Sequence, residues 1–172
     1  MASLTTRRFV FSFFAILVWL CFYSCQFSKG VHKDVATGLT ATYNGLATDA
    51  VYLADANGNK KTSNKVLLGD AVKVVATDVD FWQEAAGKVY PACSLIVKDA
   101  AGNTLLQVDD LFEDQKNGMP AAEATQLSAT LTTGSPMEAG ATYQLQVTFF
   151  DRKKPEHKIQ SDVNLVLLQP EQ

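Results

Sequence analysis

Histidine is nearly missing from this chain, with only His32 and His157 among 172 residues, and cysteine is limited to Cys21, Cys25 and Cys93. Zinc centres need several such ligands at fixed spacing, and neither residue type recurs that way. No Gly-rich loop leads into a helix and no Gly-x-Ser-x-Gly elbow occurs, which excludes a motif-borne phosphate cradle or nucleophile turn. A hydrolase would have to assemble a Ser–His–Asp set purely in space, and that is the remotest reading of these residues. An excess of positive charge is also lacking, since 15 Lys and Arg stand against 18 Asp and Glu for a formal charge of −3. Nucleic acid is therefore not an expected partner. No polybasic patch is present to grip a membrane, so any attachment has to come from the N-terminus. Past residue 24 no stretch repeats apolar residues at three and four, and long helices are not expected.

What is present is concentrated at the start. Arg7 and Arg8 precede an almost unbroken apolar run from Phe9 to Tyr23, and Ser24-Cys25 follows at once. A positive start, a short apolar stretch and a small residue at a cut site are the parts of a secretory signal. The run is short of the roughly 20 apolar residues of a spanning helix. Residues 1–24 are expected to be a signal peptide, helical until it is removed. Phe22-Tyr23-Ser24-Cys25 resembles the lipobox of bacterial lipoproteins, in which the signal is cut just before a cysteine that then carries a lipid. Cys21 is the weaker candidate because Leu20 is too large for a good cut. The resemblance implies lipidation of Cys25, a membrane as partner through that lipid, and a place in the cell envelope, at the outer membrane or the cell surface.

Residues 25–37 are polar and small and read as a lipidated tether; residues 38–172 are long enough for one domain with a sound core. Cys21 departs with the signal and Cys25 takes the lipid, which leaves Cys93 without an intramolecular partner. It opens the apolar alternation Cys93, Leu95, Val97 and is expected as a small buried hydrophobe. The alternative, a nucleophile, needs a base that nothing nearby in sequence supplies.

Beyond the tether the dominant period is two. Tyr143, Leu145, Val147 and Phe149 alternate with polar neighbours, as do Val163, Leu165 and Leu167, then Leu127, Ala129 and Leu131. Val72, Val74 and Ala76 form a further set, as do Leu39, Ala41 and Tyr43, with shorter candidates at 51–54 and 104–108. Short alternating runs separated by turn signals predict an all-β, antiparallel sandwich of about seven to nine strands. Asp55-Ala56-Asn57-Gly58-Asn59 and Asp99-Ala100-Ala101-Gly102-Asn103 each follow such a run and read as one turn solution used twice. The first resembles a calcium loop superficially, but without the terminal bidentate glutamate a solvated turn is the expectation.

Met137-x-x-Gly140-x-x-Tyr143-x-Leu145-x-Val147 resembles the tyrosine corner of immunoglobulin-like and fibronectin type III-like sandwiches. Leu68-Gly69-Asp70-x-Val72-x-Val74 is similar to the glycine-led start of an early core strand there, and the runs 141–150 and 158–168, joined by a charged turn over 151–157, resemble the closing hairpin. The resemblance covers residues 38–168 and implies an immunoglobulin-like fold. It implies no activity, because this architecture hosts many unrelated functions.

Two groups of residues are candidates for binding. Trp82 and Tyr90 flank a polar turn, where exposed aromatics would stack on a sugar ring or a partner surface; the structural alternative makes Trp82 the large aromatic of the core. Asp78, Asp80, Asp109 and Asp110 are candidate calcium ligands if they converge at one end of the sandwich, and scattered surface acids otherwise. The long segment from Asp109 to Ala124 is expected to carry a short helix capped by Asp109 or Asp110, with Leu111 and Phe112 covering one end of the core. The expectation is a non-catalytic, envelope-anchored interaction or accessory module with no cofactor besides the lipid on Cys25. Its partner would be an envelope protein or a glycan; a glycan- or calcium-binding module is the alternative.

Overall fold

The computed structural model describes residues 29–170; the expected signal peptide and its helix, Cys25 and the first part of the tether lie outside the described residues. Ten strands form two sheets: β1 (Lys29–Lys33), β2 (Thr40–Asn44), β3 (Ala50–Asp55), β4 (Lys65–Leu67), β5 (Ala71–Thr77), β6 (Pro91–Lys98), β7 (Thr104–Val108), β8 (Leu127–Thr132), β9 (Thr142–Asp151) and β10 (Lys154–Leu168). The larger sheet runs β1-β2-β10-β9-β6-β7, with β4 beside the last part of β10, and the smaller one runs β3-β5-β8. Among the described residues only β4 and β10 pair in parallel; every other strand pairing is antiparallel. The fold is all-β and a sandwich, as the alternation predicts. Ten strands exceed the expected seven to nine because β1 (KGVHK) and β4 (KVL) are too polar or too short to show a period. Part of the segment read as tether is thus strand, held by its ladder with β2 from Lys29 opposite Asn44 to Lys33 opposite Thr40.

The alternating residues are the reason the sheets face each other. Val72 and Val74 of β5 and Ala129 and Leu131 of β8 are buried against Leu95 and Val97 of β6, Leu145, Val147 and Phe149 of β9, and Val163 and Leu165 of β10. Each fully buried aliphatic side chain of this kind contributes about 1.5–3 kcal/mol before chain entropy is set against it. Cys93 lies in the same core with no exposure.

Turn chemistry joins the strands. Asp55 Oδ1 accepts from the backbone N–H of Asn57 and of Asn59, both at 2.9 Å, and Oδ2 accepts from Asn59 Nδ2 at 3.0 Å. Asp99 repeats the arrangement with Ala101 and Asn103, at 2.9 and 2.8 Å, and with Asn103 Nδ2 at 2.8 Å. Both carboxylates are thus occupied by donors of their own turn, and the side-chain bond from the asparagine holds each below the ordinary value of 3.8. At the start of β9 the Tyr143 hydroxyl accepts from the backbone N–H of Glu138 at 2.8 Å. The charged turn before β10 is tighter than expected: Lys154 already pairs with Asp151, and Pro155–His157 bulge out before the ladder resumes with Lys158 opposite Phe150.

Strand directions sort the connections into two ends. Segments 34–39, 55–70, 99–103 and 133–141 lie at one end. Segments 45–49, 78–90, 109–126 and the β9–β10 turn lie at the other, together with Lys29, where the described chain begins.

Candidate functional site

The second of these ends is tied together by backbone bonds between segments remote in sequence. Ala47 and Asp80 exchange N–H···O bonds at 3.1 Å, Val79 N–H donates to Thr125 O at 2.9 Å, Val89 and Met119 exchange bonds at 2.9 and 3.0 Å, and Arg152 N–H donates to Tyr90 O at 2.9 Å. Between the 78–90 loop and the 109–126 segment lies a cleft of about 340 Å³, lined by Asp78, Val79, Asp80, Trp82, Ala121, Ala122 and Thr125. Its size is within the lower range of small-ligand sites.

Trp82 is half-buried, packing against the core while lining the cleft. Among the described residues no acceptor reaches its enclosed Nε1. Trp82 thus contributes to the core while part of its surface faces the cleft. Its neighbour Phe81 is 38 % exposed and has φ +66°. A bulky side chain rarely adopts that conformation, which costs on the order of 1–3 kcal/mol. Asp80 Oδ1 fixes the turn by accepting from Phe81 N–H at 2.7 Å. The carbonyl of Phe81 lies 3.4 Å from His157 Nδ1. The ring of His157 is able to lie there because residue 45 is glycine: a Cβ on Gly45 would sit 2.2 Å from the imidazole.

Tyr90 does not join Trp82 in the cleft. Its ring packs over Gly118, Lys153 Nζ sits 4.4 Å from its centroid, and its hydroxyl is 3.5 Å from Ala85 O. The four acids separate as well. Asp78 and Asp80 border the cleft. Asp109 accepts from Gln107 Nε2 at 2.9 Å. Asp110 Oδ1 accepts from Cys93 N–H at 3.2 Å and Phe112 N–H at 2.8 Å, while its Oδ2 pairs with Arg152 Nη1. Among the described residues no group of three or more His, Cys, Asp or Glu side chains comes together as a metal centre would require. The short helix expected after Asp109 is instead a turn closed by Asp110, followed by single 3-10 turns at Glu113–Gln115 and Ala121–Glu123. Leu111 and Phe112 do pack on the core, and Phe112 stacks on Phe149 with ring centroids 6.2 Å apart.

Two residues missed in the sequence hold this end. Asp151 has no exposure; its Oδ2 accepts from Gln83 N–H at 2.7 Å and its Oδ1 from Lys153 N–H at 2.8 Å. It occupies the next inward position after Tyr143, Leu145, Val147 and Phe149, so a carboxylate in the buried phase of the alternation was the available signal. Arg152 donates to Pro91 O at 3.2 Å and to Phe112 O, and pairs with Asp110 and, at 3.6 Å, Glu113. Burial, with Asp110 adding to it, pushes the Cys93 thiol well above the usual thiol range, which suits a packing residue and not a thiolate nucleophile. The chain matches no described protein family and none of the curated proteins with which it was compared.

Proposed function

We propose that this chain is a non-catalytic interaction module of the cell envelope: an immunoglobulin-like sandwich held by a lipid on Cys25, with its loop-bearing end as the contacting surface. The fold class is supported by the strand partition. If β3, β5 and β8 are taken as strands A, B and E, then β6, β9 and β10 are C, F and G, and β7 is an added C′ at the edge. The Tyr143 hydroxyl, bonded five residues upstream near the start of β9, matches the tyrosine corner. The single observation that carries the function is the cleft bordered by Trp82 between the 78–90 loop and the 109–126 segment, at the end where such sandwiches commonly present binding loops. The anchor is tested by mass spectrometry of the mature protein, with a diacyl or triacyl mass on Cys25 expected; a mature N-terminus elsewhere, without lipid, overturns it.

A glycan ligand is the second reading, favoured by the indole beside Asp78, Asp80 and Thr125. A sugar stacks on an aromatic ring while its hydroxyls donate to carboxylates. Glycan-array binding that disappears in Trp82→Ala supports this reading; array binding unaffected by that change removes the cleft from consideration.

A further inference from the structure

We propose that the loop-bearing end makes its contact at the surface of the membrane that holds the lipid, with Phe81 at the level of the headgroups, so that whatever occupies the Trp82 cleft is itself a component of that membrane surface. This rests on the lipid anchor at Cys25 proposed above. Only Gln26, Phe27 and Ser28 separate that cysteine from Lys29, and Lys29 is already locked into the β1–β2 ladder opposite Asn44. Four residue steps of fully extended chain span at most about 14 Å. A tether running to residue 37 would have let the domain stand well away, but residues 29–37 of it are spent on β1 and the turn after it. The anchor therefore holds the domain short and by one end.

Which end follows from register. Lys29 lies opposite Asn44, and Asn44 lies opposite Lys158; each step across the sheet is about 4.8 Å. His157, the preceding residue, meets the Phe81 carbonyl at 3.4 Å. Phe81 is thus a few strand widths from the point where the chain leaves for the lipid. The Asp55–Asn59 and Asp99–Asn103 turns lie at the opposite end and face away. Phe81, 38 % exposed, is compatible with the headgroup–acyl boundary of a bilayer; the choice of end rests on the tether and the register, because Val35, Leu67 and Leu168 at the far end are exposed as well. No basic patch is required, because the covalent lipid supplies the attachment and the short tether supplies the orientation.

The mature protein carries its own reporter. The chain has two tryptophans, Trp19 in the expected signal and Trp82 beside Phe81. The lipidated mature chain is reconstituted in vesicles of phosphatidylcholine and phosphatidylglycerol, with and without a headgroup spin label. Trp82 emission is expected to fall by at least half in the labelled vesicles. A Gly/Ser spacer of about 20 residues after Ser28, which allows the domain to drift off, is expected to restore it. Moving the reporter to the other end, with Trp82→Phe and Asn57→Trp together, is expected to give no quenching. Unquenched Trp82 on a chain whose Cys25 carries acyl mass overturns the orientation while leaving the anchor intact. Quenching at position 57 also overturns it, and absence of acyl mass overturns anchor and orientation together.

Discussion

Replacement of Arg152 by methionine separates the clasp at the loop-bearing end from the packing beneath it. Methionine keeps much of the aliphatic stem and removes the guanidinium. The change deletes the bonds to Pro91 O and Phe112 O and the pair with Asp110. The Arg152 and Asp110 side chains are 19 % and 17 % exposed, so the pair is mostly shielded but not fully desolvated. Hydrogen bonds from a charged donor contribute about 1.5–3 kcal/mol each, and breaking a fully buried pair costs about 3–5 kcal/mol. These overlap, and Asp110 retains two backbone donors. A total loss of about 3 kcal/mol is expected, or roughly 10 °C in Tm for a domain of this size. Urea denaturation of Arg152→Met, Asp110→Asn and the double variant measures it. The double variant is expected to be more stable than the sum of the single losses implies, by about 1–2 kcal/mol. Glu113→Gln, which alters an exposed partner at 3.6 Å, is expected to change nothing measurable. A loss below about 1 kcal/mol for Arg152→Met, or strict additivity with Asp110→Asn, would refute the clasp.

Three further outcomes are expected. Tyr143→Phe strands the Glu138 N–H and should lower stability by about 1–2 kcal/mol in thermal or urea melts; an unchanged midpoint would show that the corner bond contributes nothing. Ala86 (φ +54°) and Gly87 (φ +71°) form a two-residue turn between the mutually bonded Ala85 and Lys88, a conformation that favours Asn-Gly. Ala86→Asn should therefore stabilise by about 0.5–1 kcal/mol, and a lower Tm would contradict the turn assignment. Asp55 and Asp99 are held below their ordinary value of 3.8, so the unfolded chain binds their protons first. Their contribution is complete above the ordinary value and is lost as pH falls through the lowered folded values. Stability measured from pH 5 downward should fall less steeply in Asp55→Asn/Asp99→Asn, and an unchanged slope would dissociate the turns from acid sensitivity.

Much of the sandwich was readable along the chain because burial on one face of a strand imposes a period of two, and that period is local. The runs at Val72–Ala76, Leu127–Leu131, Tyr143–Phe149 and Val163–Leu167 became β5, β8, β9 and β10 with those residues inward. The twin turns were readable for the same reason, since each aspartate bonds donors within four residues of itself. Burial of Cys93 followed from its phase in β6. What the tertiary structure alone decided were relations between distant segments. KGVHK has no period and is a strand only because β2 lies beside it. Asn44 reaches Glu156 across 112 residues, and Arg152 reaches Asp110 and Phe112 from the far side of a hairpin. Trp82 and Tyr90, eight residues apart, part company because one turns into the cleft and the other onto Gly118. Periodicity records how much each residue is buried, whereas pairing and loop convergence depend on which surfaces meet, and those surfaces exist only once both sheets have formed.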